Sequence, residues 1–420
     1  MAKKSGLIAR VPAGLADAAM ASIATFLTGL VGVNALDDVT RGVYAVFFTA
    51  FLAGAVIPTQ LALIPAETDA VQQASGDRLG SIRASSRIGG LIGLAALLPV
   101  GLALAVTAGR AEWGEVGALA LTAGVVSMVS PVQDHVRRML HLAGFSWRAA
   151  SMSAVQLAGI VVALGLLFLA DVPTTWIPFG ALGIANVGSL AFGLLVAQRS
   201  AGPGPGPPIV LADLAKAGRW LLVMALGPRL SFFAASVLIT VLAGPEALGF
   251  AEAARIATQP LYVLSLGLEA VVRPHAMVAA AQRDATAARR HRMVFYPVMG
   301  GCAAVFIGWC GFDWVGNPFS YLLPSAYAVE GLVIVTALGT LARGAILPSI
   351  AEMLGARIER RLALVAIAVT PIQVVAALTA GVTGAFARPV GTMMDYVGRF
   401  AVYERDRPQI YKGRPATSPT

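Results

Sequence analysis

Apolar stretches of about 20 residues, the length a helix needs to cross the hydrocarbon core of a bilayer, recur twelve times along this 420-residue chain. They lie near 14–33, 42–64, 88–107, 116–134, 149–170, 177–197, 219–242, 249–272, 293–312, 326–347, 362–380 and 384–402. No soluble core could hide that much apolar surface. Hydrophobic residues make up 57% of the chain and charged residues 13%, against roughly 25% charged in a typical soluble domain, and mean hydropathy is +0.76. The expected fold is all-α and integral to a membrane, with about 12 transmembrane helices. Arg388, Pro389, Asp395 and Arg399 interrupt the last stretch, so whether it fully crosses stays open.

The distribution of positive charge gives an orientation. With the N-terminus inside, 26 of the 31 lysines and arginines fall in cytoplasmic segments, among them Arg83, Arg87, Arg292, Arg343 and Arg399. This is the asymmetry expected of cytoplasmic loops. The exceptions are Arg41 and Arg110 in outer loops, and Arg229, Arg255 and Arg388 inside spans, with Arg388 near the outer end of the last one. An even number of spans puts both termini in the cytoplasm. The start, MAKKSGLIARVPAGLADAAM, lacks a clean apolar core and a small-residue cleavage site, so it reads as the lead into a retained first helix. The net charge of +9 is spread over these topological clusters, and nucleic acid is not an expected partner.

Enzyme chemistry finds little to stand on. The chain has no GxSxG, GxxxxGK[ST] or HExxH motif and no long extramembrane segment for a catalytic domain. All four histidines fall in basic inter-helix segments, so neither a metal nor another cofactor is implied. Cys302 and Cys310 are eight positions apart on one apolar run, about 12 Å along a helix and too far for a disulfide. No catalytic residue is assigned.

Between the sixth and seventh spans lies AQRSAGPGPGPPIVLADLAKAGR, a Gly/Pro run followed by a short amphipathic stretch. It divides the chain into an N-terminal six-helix lobe (1–197), a cytoplasmic linker with a short amphipathic helix (198–218), a C-terminal six-helix lobe (219–402) and a cytoplasmic tail (403–420). The lobes look related. Each has a short acidic turn leading to a glycine (Gly42, Gly249), then a helix with a mid-span proline (Pro58, Pro260) and a second proline at its end (Pro65, Pro274). Repeats of six spans share one orientation, which places a pseudo-two-fold axis along the membrane normal.

The eighth span carries the densest functional signal. At 100° per residue, Glu252, Arg255, Gln259, Tyr262, Glu269 and Arg273 fall within an arc of about 100° on one face. A polar stripe along a span suits a water-filled cavity, although Glu252 with Arg255 and Glu269 with Arg273 are also at ion-pairing spacings. In the seventh span, Arg229 follows Gly227 and Pro228 and lies roughly 15 Å from the cytoplasmic entry, near the midplane. A guanidinium there costs at least about 2.5 kcal/mol and should face a cavity or a partner. No acidic residue takes a clear midplane position, and deep arginines favour an anionic group such as phosphate over a cationic drug. GGLIG at 89–93 and SLAFG at 189–193 read as helix-packing devices.

The two-times-six layout, with its glycine-plus-aromatic steps at Gly42-Val43-Tyr44 and Gly249-Phe250, resembles the multidrug/oligosaccharidyl-lipid/polysaccharide exporter superfamily, and within it the polysaccharide-type (O-antigen-like) flippases. The resemblance implies a bacterial cytoplasmic-membrane protein that flips a polyprenyl-linked oligosaccharide or polysaccharide precursor by alternating access. Arg229, Arg255, Gln259, Tyr262 and Glu252 would bind its pyrophosphate and proximal sugar, with Gly227, Pro228 and Pro260 as hinges. Expected partners are the pyrophosphate-linked glycan lipid, membrane lipids and envelope polysaccharide assembly proteins. The alternative is a multidrug or metabolite antiporter of the same fold; a membrane glycan polymerase and a non-transporting scaffold come after it. The first two spans lack the deep arginines of the lipid II branch.

Overall fold

The computed structural model of the protein describes residues 7–71, 78–201, 210–356 and 358–412. The Gly/Pro run at 202–209, the lysines at positions 3 and 4 and the end of the tail (413–420) lie outside them. The described residues are helical, with no strand among them. They divide into two compact units, residues 1–229 and 230–420.

The N-terminal unit contains α1 (Leu7–Asn34), α2 (Asp38–Pro58), α3 (Ile64–Val71), α4 (Ile82–Gly93), α5 (Leu97–Thr107), α6 (Trp113–Leu142), α7 (Ser146–Leu169) and α8 (Ile177–Ser200). It also holds the first part of α9 (Leu211–Leu242), which includes the amphipathic stretch after the Gly/Pro run. Arg41 is not a loop residue. It sits in the first turn of α2, buried, and donates from Nε to Val33 O at 2.6 Å, from Nη2 to Leu36 O at 3.1 Å and from Nη1 to Asp38 at 2.7 Å. One arginine thereby satisfies a carbonyl in the last turn of α1 and one in the turn that follows it. Past Pro58, whose ring removes an amide donor, the chain takes a π turn over Thr59–Leu63 before α3. The core around α2 is aromatic: Tyr44 meets Phe179 with ring centroids 5.0 Å apart and Phe48 at 6.1 Å.

The C-terminal unit takes the rest of α9, then α10 (Pro245–Ala257), α11 (Gln259–Ala281), α12 (Ala285–Cys310), two short helices α13 (Pro318–Leu322) and α14 (Pro324–Tyr327), α15 (Leu332–Ala345), α16 (Leu347–Gly355), α17 (Glu359–Val369), α18 (Pro371–Leu378), α19 (Ala380–Thr383) and α20 (Ala387–Lys412). Among the described residues, ten helical segments are long and apolar enough to cross a membrane. The two remaining stretches, 249–272 and 384–402, are helical but are not among these ten. The first is not one helix: α10 ends at Ala257 and α11 begins at Gln259, because Thr258 turns at φ −87°, ψ 1° and Pro260 has no amide to continue the ladder. The second keeps its charges inside. Arg388, Asp395, Arg399, Tyr403, Asp406 and Ile410 are all buried, and their spacings of seven, four, four, three and four put them on one face of α20.

Candidate functional site

The C-terminal unit builds a polar centre on α10. Glu252 is fully buried and is held by Arg255 one turn later, whose Nε donates to the two carboxylate oxygens at 2.9 and 3.0 Å and whose Nη2 donates at 2.6 Å. Arg388, in the first turn of α20, brings Nη1 to 2.8 Å from Glu252 Oε2. That contact is ionic and not an aligned hydrogen bond: Arg388 Nε, Nη1 and Nη2 have no hydrogen-bond partner among the described residues, although Arg388 is 5% exposed. Its guanidinium lies over the Phe232 ring, 4.6 Å from the centroid. On α15, Arg343 stacks on Tyr262 at 3.9 Å and donates from Nη2 to the Tyr262 hydroxyl at 2.6 Å.

These three arginines wall a cavity of about 80 Å³, completed by Thr336, Thr340 and Thr392 among others. The threonines are turned by their own helices, with Thr340 Oγ1 donating to Thr336 O at 2.9 Å and Thr392 Oγ1 to Arg388 O at 2.9 Å. Two glycines bring the elements in. Gly244 at φ +90° reverses the chain ahead of Pro245, and Gly384 at φ +56° turns it into the short 3-10 segment that opens α20; neither conformation suits a side chain with a Cβ. Two guanidinium groups meet the Glu252 carboxylate and a third, Arg343, lines the same cavity against Tyr262, so the cluster carries excess positive charge in a poorly solvated place. Such a cluster is matched by an anion with several acceptor oxygens.

Of the residues expected from the sequence, Glu252, Arg255 and Gln259 come together; Arg255 Nη1 is 3.4 Å from Gln259 Oε1 across the α10–α11 break. Tyr262 joins through Arg343. Arg273 and Glu269 form their own pair at 3.4 Å. Arg229 is half-buried on α9 and is the last residue of the N-terminal unit. Gly227 and Pro228 lie within α9, which runs through them without a break in its helix, whereas Pro260 directly follows the interruption at Thr258.

Several sequence expectations are corrected. Arg343 is no loop charge but part of α15, and Arg388, in the first turn of α20, is the most buried cation of the cluster. The signal was available for Arg388: its seven- and eleven-residue spacing to Asp395 and Arg399 marks one face of a helix. Arg399 is likewise buried, donating to Asp395 at 2.8 and 2.9 Å and to Thr370 at 2.7 Å. Arg292 pairs with Glu352 at 3.0 Å. Buried carboxylates do exist: Glu252, Glu352 and Asp395 are each 0% exposed, and each is matched by an arginine. His135 does not lie in a loop. It is buried in α6, with Nδ1 2.8 Å from Glu67 and Nε2 2.8 Å from Ser85; on the same helix, His141 meets Asp17 at 3.0 Å.

No protein-family model matches the chain, and no curated protein matches it in sequence. Solved structures do resemble it. An inward-facing multidrug resistance MATE family transporter of the MOP superfamily superposes with a TM-score of 0.61 at 14% identity, over 97% of this chain and 96% of that one. An outward-facing MATE family transporter gives 0.60 at 14%, over 96% and 95%. A MOP superfamily transporter from Pyrococcus furiosus, described as having a binding pocket of reverse polarity that suggests a different function, gives 0.57 at 14%, over 94% and 96%. The chain thus has the all-α, two-lobe membrane fold of the MATE transporters of the MOP superfamily, along nearly its whole length.

Proposed function

We propose that the protein is a membrane transporter that moves a polyprenyl-linked oligosaccharide or polysaccharide precursor across the cytoplasmic membrane of a bacterium by alternating access. The observation that carries this reading is the cavity of Arg255, Arg343 and Arg388, where Arg388 pairs with Glu252 through Nη1 while its Nε and Nη2 have no hydrogen-bond partner among the described residues. The fold supports transport, since solved members adopt inward- and outward-facing conformations. The Pyrococcus furiosus transporter, described as having a binding pocket of reverse polarity that suggests a different function, supports a change of pocket charge on this same fold.

A cavity of about 80 Å³ suits a phosphate group better than a sugar, so the glycan and the lipid tail would stay outside it. Arg388 presents its planar donor fork to the phosphate oxygens. Arg343, oriented by the Tyr262 ring and hydroxyl, presents a second. Arg255 is mostly committed to Glu252, and its Nη1 donates to Gln259 Oε1 at the start of α11. Arg229, half-buried on α9, is proposed separately as a cation that the anionic cargo meets. The interruption at Thr258 and Pro260 is the bending point, because a helix already lacking a hydrogen bond deforms at little cost.

The test is leaflet-to-leaflet movement of a fluorescent polyprenyl-pyrophosphoryl glycan in proteoliposomes, for the wild type, Arg388→Gln and Arg229→Ala. Movement by the wild type and a loss of at least about tenfold in both variants is expected. Wild-type protein that is folded and moves a cationic dye but no glycan lipid would overturn the proposal. That second outcome would favour a multidrug or metabolite antiporter, a reading helped by the buried Glu252 and Asp395 carboxylates and by the multidrug transporters among the structural neighbours.

A further inference from the structure

The N-terminal unit carries a second lined space, independent of the arginine cluster. Along α4, the 3-10 turn Leu94–Ala96 and α5, the residues Arg83, Arg87, Leu91, Leu94 and Leu98 are all exposed, and their spacings of four, four, three and four make one continuous face. The leucines are 69%, 53% and 73% exposed. From Arg87 to Leu98 that face runs about 16 Å, close to the depth of one leaflet. It is cationic at one end and apolar beyond.

Beside it lies a groove of about 450 Å³ between α4, α6 and α8, in the size range of ligand sites. Arg83, Ser86 and Arg87 line its polar end; Gly90, Met128 and Leu194 are among the residues lining the rest. Ser86 is 9% exposed and its hydroxyl has no hydrogen-bond partner among the described residues. The glycines of GGLIG divide by role. A Cβ on Gly89 would collide with Leu63, and one on Gly93 would touch Met128 at 3.5 Å, whereas one on Gly90 would meet nothing within 4 Å. Gly90 therefore leaves room that packing does not require. Arg83 and Arg87, one turn apart, repel each other unless an anion lies between them.

We propose that this groove is a specific site for an anionic phospholipid. Its phosphate accepts hydrogen bonds from Arg83, Arg87 and the Ser86 hydroxyl, and one acyl chain lies in the groove over Gly90 against α6 and α8. Basic pockets between transmembrane helices hold lipid headgroups by this combination of charge and apolar surface.

The full-length protein, purified in detergent, would be titrated with phosphatidylglycerol and with phosphatidylcholine of the same acyl chains, read by native mass spectrometry and by the thermal midpoint. Phosphatidylglycerol is expected to stay bound and raise the midpoint, phosphatidylcholine to do neither. Arg83→Ala/Arg87→Ala should weaken phosphatidylglycerol binding at least about tenfold. Gly90→Leu, which keeps both charges and has open space for its side chain, should do the same while leaving the lipid-free midpoint unchanged. Equal retention of the two lipids, or undiminished binding to Gly90→Leu, would overturn the proposal. So would a polyprenyl phosphate that displaces phosphatidylglycerol at lower concentration, which would give the groove to a cargo lipid, or a loss of dimer mass in Gly90→Leu without change in lipid, which would give it to a second copy of the chain.

Discussion

The second helix of each half occupies the same place in the chain plan, and the two have opposite interiors. In the N-terminal unit, α2 buries Tyr44, Phe47 and Phe48 and packs ring against ring, with Tyr44 5.0 Å from Phe179. In the C-terminal unit, α10 buries Glu252 against Arg255 and Arg388, and these two arginines line a cavity with Arg343. Both halves interrupt the helix near a proline, by a π turn after Pro58 and by a break at Thr258 before Pro260. Backbone irregularity alone thus does not make a site. What distinguishes the halves is what packs beside the interrupted helix: rings around Tyr44 in the first, where Arg41 of α2 is spent on carbonyls and Asp38, and guanidinium groups lining a cavity in the second.

The comparison can be broken most severely at Glu252. Glu252→Gln removes the one carboxylate that neutralises Arg255 and Arg388, and should lower stability by about 3–5 kcal/mol, read as a fall in thermal midpoint in detergent; Glu252→Gln/Arg388→Gln should recover part of that loss. If the single variant is as stable as wild type, the cluster is solvated and the contrast with the aromatic half fails. The N-terminal counterpart is Gly32→Ala, whose new methyl would lie 2.5 Å from the Tyr44 ring in a filled core; about 1–3 kcal/mol of destabilisation is expected with no change in the selectivity of transport. An effect on selectivity would show that the aromatic half also touches cargo.

Arg343→Lys sharpens the contrast further. It keeps the charge but loses the planar stack on Tyr262, and transport of an anionic lipid should fall about tenfold, equivalent to about 1.4 kcal/mol, with the thermal midpoint little moved. Retained rates would mean that charge alone suffices. The smallest effect belongs to Thr258→Ala, which removes the hydrogen bond from Thr258 Oγ1 to Arg255 O at 3.0 Å and should cost roughly 0.5–1.5 kcal/mol. Hydrogen exchange at the α10–α11 break should then rise locally; unchanged exchange there would argue against a bending point.

The amino-acid sequence by itself determined the solvent and the class of fold, because apolar runs of spanning length leave a chain no alternative to helices in lipid. It also singled out Glu252, Arg255, Gln259 and Tyr262, since helical periodicity puts residues close in sequence on a common face. Contacts far apart in the chain were beyond its reach. Arg343 read as a topological charge and Arg388 as a residue near the end of the last span until α15 and α20 carried them against α10, 88 and 133 positions from Arg255. Arg41 and His135 read as loop residues, and the structure buries both. A positive charge near a span end looks the same in sequence whether it faces water or a carboxylate on another helix. Only tertiary packing decides which, because the cost of burying a guanidinium depends on the partner it meets.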